Sequence, residues 1–291
     1  SRGLGDVYKR QAKDLLAKCD TIKENKHWMS TENRMLAVNS GTSGELAKDV
    51  FFAYRGYRMN YYAVTAMLAR VYCWAGEYGN AYKEAKEVVD ATYSTGSTST
   101  ASCFNFSNSL TTNRKDYNSI IMTFFKSTCY EDYLPYMTKG NDVVLVVNTT
   151  NLFGDEAGAD DRNLDLFGDW DGGDIKYSFK YDIKEGTSGT DMIPAIRLSE
   201  MYYIMGEYFA YKDEFSKAGE MLDKVRYARG ISTTNLASSI GSLEVFHTHL
   251  IKEMRREFVG EGQMFFQYKR LDQKPKDNVV FVFDKPNNED I

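Results

Sequence analysis

The stretch around residues 60–92 constrains the fold more than any other. Val64, Met67, Leu68, Val71, Tyr72 and Ala75 fall at i, i+3, i+4, i+7, i+8 and i+11, which is one face of an α-helix. Gly76 stands where a helix over about residues 60–75 should stop. A second helix is expected over about residues 79–92, with Ala81, Ala85, Val88 and Val89 on one face. Leu68, Ala69, Tyr72, Gly76, Tyr78 and Ala81 match, in order, the small and aromatic positions of a tetratricopeptide hairpin, although Thr65 stands where that pattern has a large residue. One hairpin cannot bury its own apolar face, so further helices must pack against it.

The same grammar returns later. Leu198, Met201, Tyr202, Met205, Tyr208 and Phe209 stripe a helix within a pair expected over about residues 196–228. A turn around Lys212, Asp213 and Glu214 leads to its partner, striped by Phe215, Ala218, Leu222 and Val225 and closed by Gly230. A third helix, about residues 243–259, carries Leu243, Phe246, Leu250, Ile251, Met254 and Phe258 inward, and Gly260 and Gly262 stop it. Between these blocks, residues 94–191 change character. Residues 94–100 have turn composition, 143–147 form a short apolar run of strand type, and 176–181 alternate as a half-buried strand does. Residues 154–173 are rich in Gly and Asp. A long irregular insertion in a helical protein is a place to look for function.

Charge and composition exclude several classes. The formal net charge is −5, with Lys and Arg spread along the chain, whereas a nucleic-acid binder needs a basic face. There is no phosphate-binding glycine loop, no HExxH and no GxSxG. His247 and His249, two apart on a helix, point in different directions, and His27 stands alone. Four cysteines without a CxxC argue against structural zinc; Cys73 falls on an apolar stripe, and Cys103 and Cys129 flank the irregular region, where spacing leaves their pairing open. Asp169-Trp170-Asp171-Gly172-Gly173-Asp174 faintly resembles a calcium loop but lacks its closing Glu, so an acidic turn is expected and no cofactor is assigned. No run of about 18 apolar residues could span a membrane. Leu15-Leu16-Ala17-Lys18-Cys19 fails as a lipobox because of Lys18, and Cys19 reads as a helix residue. Residues 1–11 resemble a prefix found on unrelated assembled sequences; they are read as an artefact, with folding expected to begin near Ala12 and any export signal expected to be missing.

The C-terminal block is more specific. Ile193-Pro194-Ala195-Ile196-Arg197-Leu198-Ser199-Glu200, then Leu222-Asp223-Lys224-Val225-Arg226-Tyr227-Ala228-Arg229-Gly230, then Glu253-Met254-Arg255-Arg256-Glu257-Phe258-Val259-Gly260-Glu261-Gly262-Gln263, and finally Lys269-Arg270-Leu271 follow in order. Together with the upstream hairpin they resemble the SusD/RagB family of nutrient-binding outer-membrane lipoproteins. The resemblance covers about residues 60–270 apart from the insertion. Met264 and Gln267 depart from it, standing where the family often has Arg and Asp; these are three apart, an ion-pair spacing, and losing both leaves no orphan charge.

The resemblance implies a mainly α fold: tetratricopeptide-like hairpins in an α-α superhelix, with a long irregular insertion carrying a few short strands. Residues 12–291 would be the C-terminal part of one SusD-like domain, with a helical pair at 60–93, a ligand-side insertion at 94–191, a helical block at 192–271 and a tail at 272–291. It implies a non-catalytic protein on the cell-surface side of the outer membrane, held by an N-terminal lipid anchor missing from this chain. Such a protein binds a glycan, or a peptide in the RagB branch, and passes it to a TonB-dependent SusC-like transporter. A tetratricopeptide scaffold is the next reading, disfavoured by the hundred-residue gap between hairpins, and a helical carbohydrate-active enzyme is the last.

Two sets of residues follow. Aromatic residues make up 14% of the chain, with 21 Tyr and 17 Phe, and most should pack helices. The insertion supplies aromatics outside regular helices, and Trp170, Tyr130, Tyr133 and Phe153, with Arg162 as a donor, are the expected ligand contacts; Trp74 is expected to be packing. Arg197, Glu200, Arg226, Arg229, Arg255, Arg256, Glu257 and Glu261 are expected to form a structural ion-pair lattice locking the late helices together.

Overall fold

A computed structural model describes residues 2–36, 44–138, 140–141, 143–170, 172–182, 189–271 and 281–283. The first helix, α1 (Arg2–Asp20), runs continuously through the stretch read as an artefact, and Arg10 Nε donates to the Tyr72 hydroxyl at 2.7 Å. A short α2 (Thr31–Arg34) follows. The hairpin at the centre of the sequence argument is α3 (Tyr61–Ala75) and α4 (Tyr78–Val89). The Asn60 side chain accepts the Ala63 N–H at 2.9 Å and so starts α3; Gly76, at φ 77°, ends it. Asp20 joins α1 to this hairpin by accepting the Tyr61 N–H at 2.8 Å and pairing with Arg55.

The insertion opens with a small hairpin, β1 (Thr92–Ser94) and β2 (Thr100–Ser102), closed by Thr95 N–H donating to Ser99 O at 3.0 Å, as its turn composition leads one to expect. Then come β3 (Ile120–Phe125), α5 (Cys129–Met137), β4 (Leu145–Asn148), α6 (Thr149–Phe153), α7 (Asp161–Leu166), β5 (Phe167–Asp169) and β6 (Ile175–Ser178). The apolar run at 143–147 thus becomes β4 and the alternating run at 176–181 becomes β6. They pair antiparallel, Val146 opposite Tyr177, in a sheet of order β5-β6-β4-β8, where β8 is Phe281–Phe283.

The second hairpin starts later than its periodicity suggests. Met192–Arg197 is a strand, β7, antiparallel to β3, and α8 (Leu198–Ala210) begins only after it. That long-range pairing captures residues a local helical period would have included. Then follow α9 (Phe215–Ala228), α10 (Leu243–Glu257) and α11 (Met264–Arg270). Ser242 caps α10 by accepting the Val245 N–H at 3.2 Å.

Apolar burial joins the two hairpins. Ala66, Leu68, Ala69, Ala81, Ala85 and Val88 have no exposed surface and share one core with Leu198, Met201, Ile204 and Met205. Fully burying a Leu- or Met-sized side chain contributes about 1.5–3 kcal/mol, so the four large α8 residues fix this contact. At its rim, Tyr78 stacks on Tyr211 (3.9 Å between centroids, 17°) and Tyr82 on Tyr208 (4.3 Å, 27°). A second core lies under α8, α9 and α10, around Leu222, Phe246, Leu250 and Met254. A third, with Leu152, Phe153, Leu166 and Val259, seats the insertion against the end of α10.

Candidate functional site

Two features stand behind any site here: a buried lattice of charge and an open apolar groove. The lattice grows from α10, whose Glu253, Arg256 and Glu257 fall on one face. Arg229, at the end of α9, places Nη2 at 2.6 Å from Glu257 Oε1 and 2.7 Å from Asp116 Oδ2. Arg256 Nη1 lies 2.7 Å from Glu156 Oε2 and 2.9 Å from Glu253 Oε1. Arg226 pairs with Asp223 at 2.5 Å and also with Glu156. Arg197, ending β7, and Lys180 share Glu261 at 2.6 and 2.5 Å.

This arrangement differs from the one expected in what it joins. Asp116, Glu156, Asp160, Arg162 and Lys180 come from the insertion, so the lattice clamps the insertion onto the helices as well as the late helices to one another. Glu200 lies outside it: its carboxylate takes Nε and Nη2 of Arg70, on α3, both at 2.6 Å. Arg255 is half-buried, which lowers its pKa, with Tyr268 partly offsetting the effect.

Burial would raise the Glu257 carboxyl, but Arg229 and Arg162 overcome it and hold the group well below the usual carboxylate range. Glu156 is likewise opposed by burial, yet the Arg256 hydrogen bond and charge, with Thr234 and Arg226, bring it to about 2. Carboxylates so held are poor proton carriers at neutral pH; a general acid or base needs a pKa near the working pH. Burial and the neighbouring Arg197 pull Lys180 down to about 8, against the pull of Glu261.

The expected ligand contacts have different fates. Arg162 is 2% exposed and committed to Asp160 (2.8 Å), Glu253 (3.0 Å) and Glu257 (3.2 Å). Phe153 has no exposed surface and packs edge-on to Phe167 under the Arg256 guanidinium. Both therefore face the interior and cannot meet a ligand in this fold: a helical turn at 161–166 aims Arg162 at α10, and the α6 core takes Phe153. Tyr133 stacks on Tyr181 (4.0 Å, 6°), whose hydroxyl donates to Gly260 O at 3.2 Å, and half-buried Tyr130 joins the same cluster. Trp170, half-buried, stands at the β5–β6 turn outside that cluster, its backbone N–H donating to Ile175 O at 3.2 Å. Asp171 lies outside the described residues, while Asp174 accepts the Thr150 hydroxyl at 2.6 Å. Among the described residues no group of three His, Cys, Asp or Glu could hold a metal. Cys103 and Cys129 are buried free thiols, which closes the pairing that spacing left open.

The groove was not legible in advance. Met67, Arg70 and Trp74 share one face of α3, Met122 and Phe124 one face of β3, and β7 supplies Ile193 to Ile196. The turn after α10 and the first turns of α11 add Gln263, Phe266 and Gln267. They enclose ≈540 Å³ between them, within the range of small-ligand clefts. Three rings stand open at its rim: Trp74 is 40% exposed, Phe124 56% and Phe266 55%. Trp74 is thus a wall of the groove and not the packing residue its neighbours in sequence suggested.

Several donors remain on this lining. Arg70 gives Nη2 also to Ala195 O at 3.0 Å, leaving Nη1 without a hydrogen-bond partner among the described residues. The Gln267 carbonyl accepts from Arg270 (3.1 and 3.0 Å), leaving its amide NH₂, and the Gln263 carboxamide bonds to no described residue. Rings beside carboxamides and a guanidinium edge can stack on an apolar face and hydrogen-bond its polar rim.

Comparison with known proteins agrees with this architecture. No curated protein matches the chain. Among solved structures, a SusD superfamily protein from Bacteroides thetaiotaomicron matches at 22% identity over 75% of this chain and 51% of its own, with a TM-score of 0.55. A SusD superfamily protein from Bacteroides fragilis matches at 17% identity over 81% and 54%, TM-score 0.58. A SusD-like carbohydrate binding protein from Bacteroides vulgatus matches at 21% over 78% and 47%, TM-score 0.53. The chain therefore spans about half the length of the structures it matches, and at these identities the likeness is one of fold. The family model for SusD matches residues 31–281, which takes in both hairpins, the insertion and the lattice, and the chain belongs to the SusD family.

Proposed function

We propose that this chain carries a glycan-binding surface of a cell-surface nutrient-uptake protein, and that the groove between α3, β3–β7 and α11 is that surface. The observation that carries the reading is the company of Trp74, Phe124 and Phe266 with the Gln263 carboxamide and the Gln267 NH₂ group, neither bonded to a described residue. Sugar rings present C–H faces that pack on aromatic rings, and hydroxyl edges that need donors and acceptors close by. The name of the Bacteroides vulgatus structure, a carbohydrate binding protein, agrees with it. Trp170 and Tyr130, both half-buried in the insertion, are proposed as a secondary contact. Family membership further supports a lipid-anchored location on the outer membrane and delivery of the ligand to a TonB-dependent transporter. No helix among the described residues is long and apolar enough to cross a membrane. A peptide ligand, as in the RagB branch, is the second reading, and the methionines of the groove (Met67 and Met122) favour it.

Affinity electrophoresis through gels containing single polysaccharides tests this. The folded protein should be retarded by at least one polysaccharide, Trp74→Ala should run free, and Trp170→Ala should be retarded less than wild type. Retardation unchanged in a folded Trp74→Ala protein removes the groove from the reading; peptide binding without any retardation selects the second reading. Copurification of the tagged protein with a TonB-dependent transporter from outer membranes tests the delivery step.

A further inference from the structure

We infer that the groove takes an uncharged oligosaccharide and discriminates against acidic ones; this rests on the glycan reading just given. The selectivity is electrostatic. Among the described residues two full charges touch the groove lining, Arg70 and Glu261, and both are already neutralised by protein groups. Arg70 grips the buried Glu200 carboxylate through two nitrogens at 2.6 Å each, side on. Glu261, with no exposed side-chain surface, is held from behind by Arg197 and Lys180 at 2.6 and 2.5 Å. A uronate or sulfate entering this apolar cleft would lose hydration and meet no uncommitted cation among the described lining residues, a desolvation cost without compensation. The overall charge of −5 adds a weak field of the same sign as such a ligand.

What the groove does leave open suits neutral hydroxyls. Arg70 Nη1, without a partner among the described residues, belongs to a guanidinium whose charge Glu200 cancels, and the Gln263 and Gln267 amides are neutral. The walls of Trp74, Phe124 and Phe266 accept the C–H faces that a neutral pyranose presents.

Isothermal titration calorimetry with a neutral panel (maltoheptaose, cellohexaose, laminarihexaose, mannohexaose) and with hexagalacturonate tests the inference. At least one neutral oligosaccharide should bind at least about tenfold more tightly than hexagalacturonate, a gap of about 1.4 kcal/mol, and Trp74→Ala should abolish that binding. Glu200→Gln, which keeps the shape and leaves the Arg70 charge uncompensated, should narrow the ratio by strengthening hexagalacturonate alone. Hexagalacturonate binding through Trp74 as tightly as the best neutral sugar overturns the inference and spares the glycan reading. Binding of neither class overturns both. A ratio unmoved by Glu200→Gln overturns charge neutralisation as its cause. The wild-type ratio decides the matter whether or not that variant folds.

Discussion

Arg229 Nη2 lies 2.6 Å from Glu257 Oε1, with both side chains 2% exposed. The pair ties the end of α9 to the end of α10, and Asp116 brings the insertion to the same nitrogen at 2.7 Å. Removing one partner of such a pair strands a buried charge, which typically costs about 3–5 kcal/mol. Arg229→Ala should therefore lower the free energy of unfolding by that order in urea titrations. Lys217→Ala, on an exposed surface pair with Glu214, should unfold at the same urea midpoint as wild type.

Acid should act on the same lattice. Glu156 falls from an ordinary 4.5 to about 2 in the folded chain, and Glu257 is also depressed. A depressed carboxylate stabilises the fold above its unfolded pKa, and that contribution is lost as pH falls through the folded value. Stability from Glu156 should be level above about pH 5 and decline between about 4.5 and 2, as followed by circular dichroism melts across that range.

Lysine should act in the same direction at a higher pH. Lys115 is pulled by burial from 10.5 to about 8, against Cys129 and Asp191, with Lys180 and Arg197 adding to the fall. Between about pH 8 and 10.5 the unfolded chain binds a proton there that the folded chain does not, so this group alone makes stability rise with pH. Lys115→Met should flatten that rise in the same melts.

Thiol chemistry should separate Cys19 from the rest. Burial pushes Cys103 up to about 11, and raises Cys73 and Cys129 as well, so few thiolates form in a site reagents cannot reach. The native chain should react quickly with Ellman's reagent at half-exposed Cys19 alone, and all four cysteines should titrate after denaturation.

Gly230 should not tolerate a side chain. Its φ is +84°, and an added Cβ would stand 2.6 Å from Ala159 O and 2.9 Å from Asp161 Oδ1. Gly230→Ala should cost at least about 1–3 kcal/mol, the range for a strained backbone position, whereas Gly241→Ala, with nothing within 4 Å, should be neutral in the same titration.

The helices were readable because their information is local. Periodicity and a stop at Gly76 placed α3 to within a residue or so. The start of α8 was not, because Met192–Arg197 is held as a strand by β3, some seventy residues upstream, as in the 2.8 Å bond from Thr123 Oγ1 to Ile193 O. Arg162 was mistaken for a ligand donor because its partners, Glu253 and Glu257, lie about ninety residues away and no local pattern links them. Arg34 escaped notice for the same reason: it is fully buried and donates to carbonyls of Met29, Cys103, Asn118 and Ile120, none a charged group. Trp74 was misjudged because a helix period says which residues share a face but not which face a neighbour covers. The run of Phe265 and Phe266, 70% and 55% exposed just past the glycines, and that of Phe124 and Phe125, 56% and 50% exposed, are local hints of an open apolar surface.

The reach of the lattice along the chain also sets an order of events during synthesis. Arg162 waits for Glu257 across 95 residues, and Glu156 waits for Arg256 across 100. Contacts this distant in sequence pay their loop-closure entropy before they return anything. On the ribosome the α3–α4 hairpin can be buried once α8 has emerged to cover it, but Arg162 must wait for its α10 partners, Glu253 and Glu257, until α10 has left the exit tunnel. A nascent chain arrested before Leu243 should thus be a protease-sensitive intermediate with a formed first hairpin, and release of α10 should be the step that closes the structure.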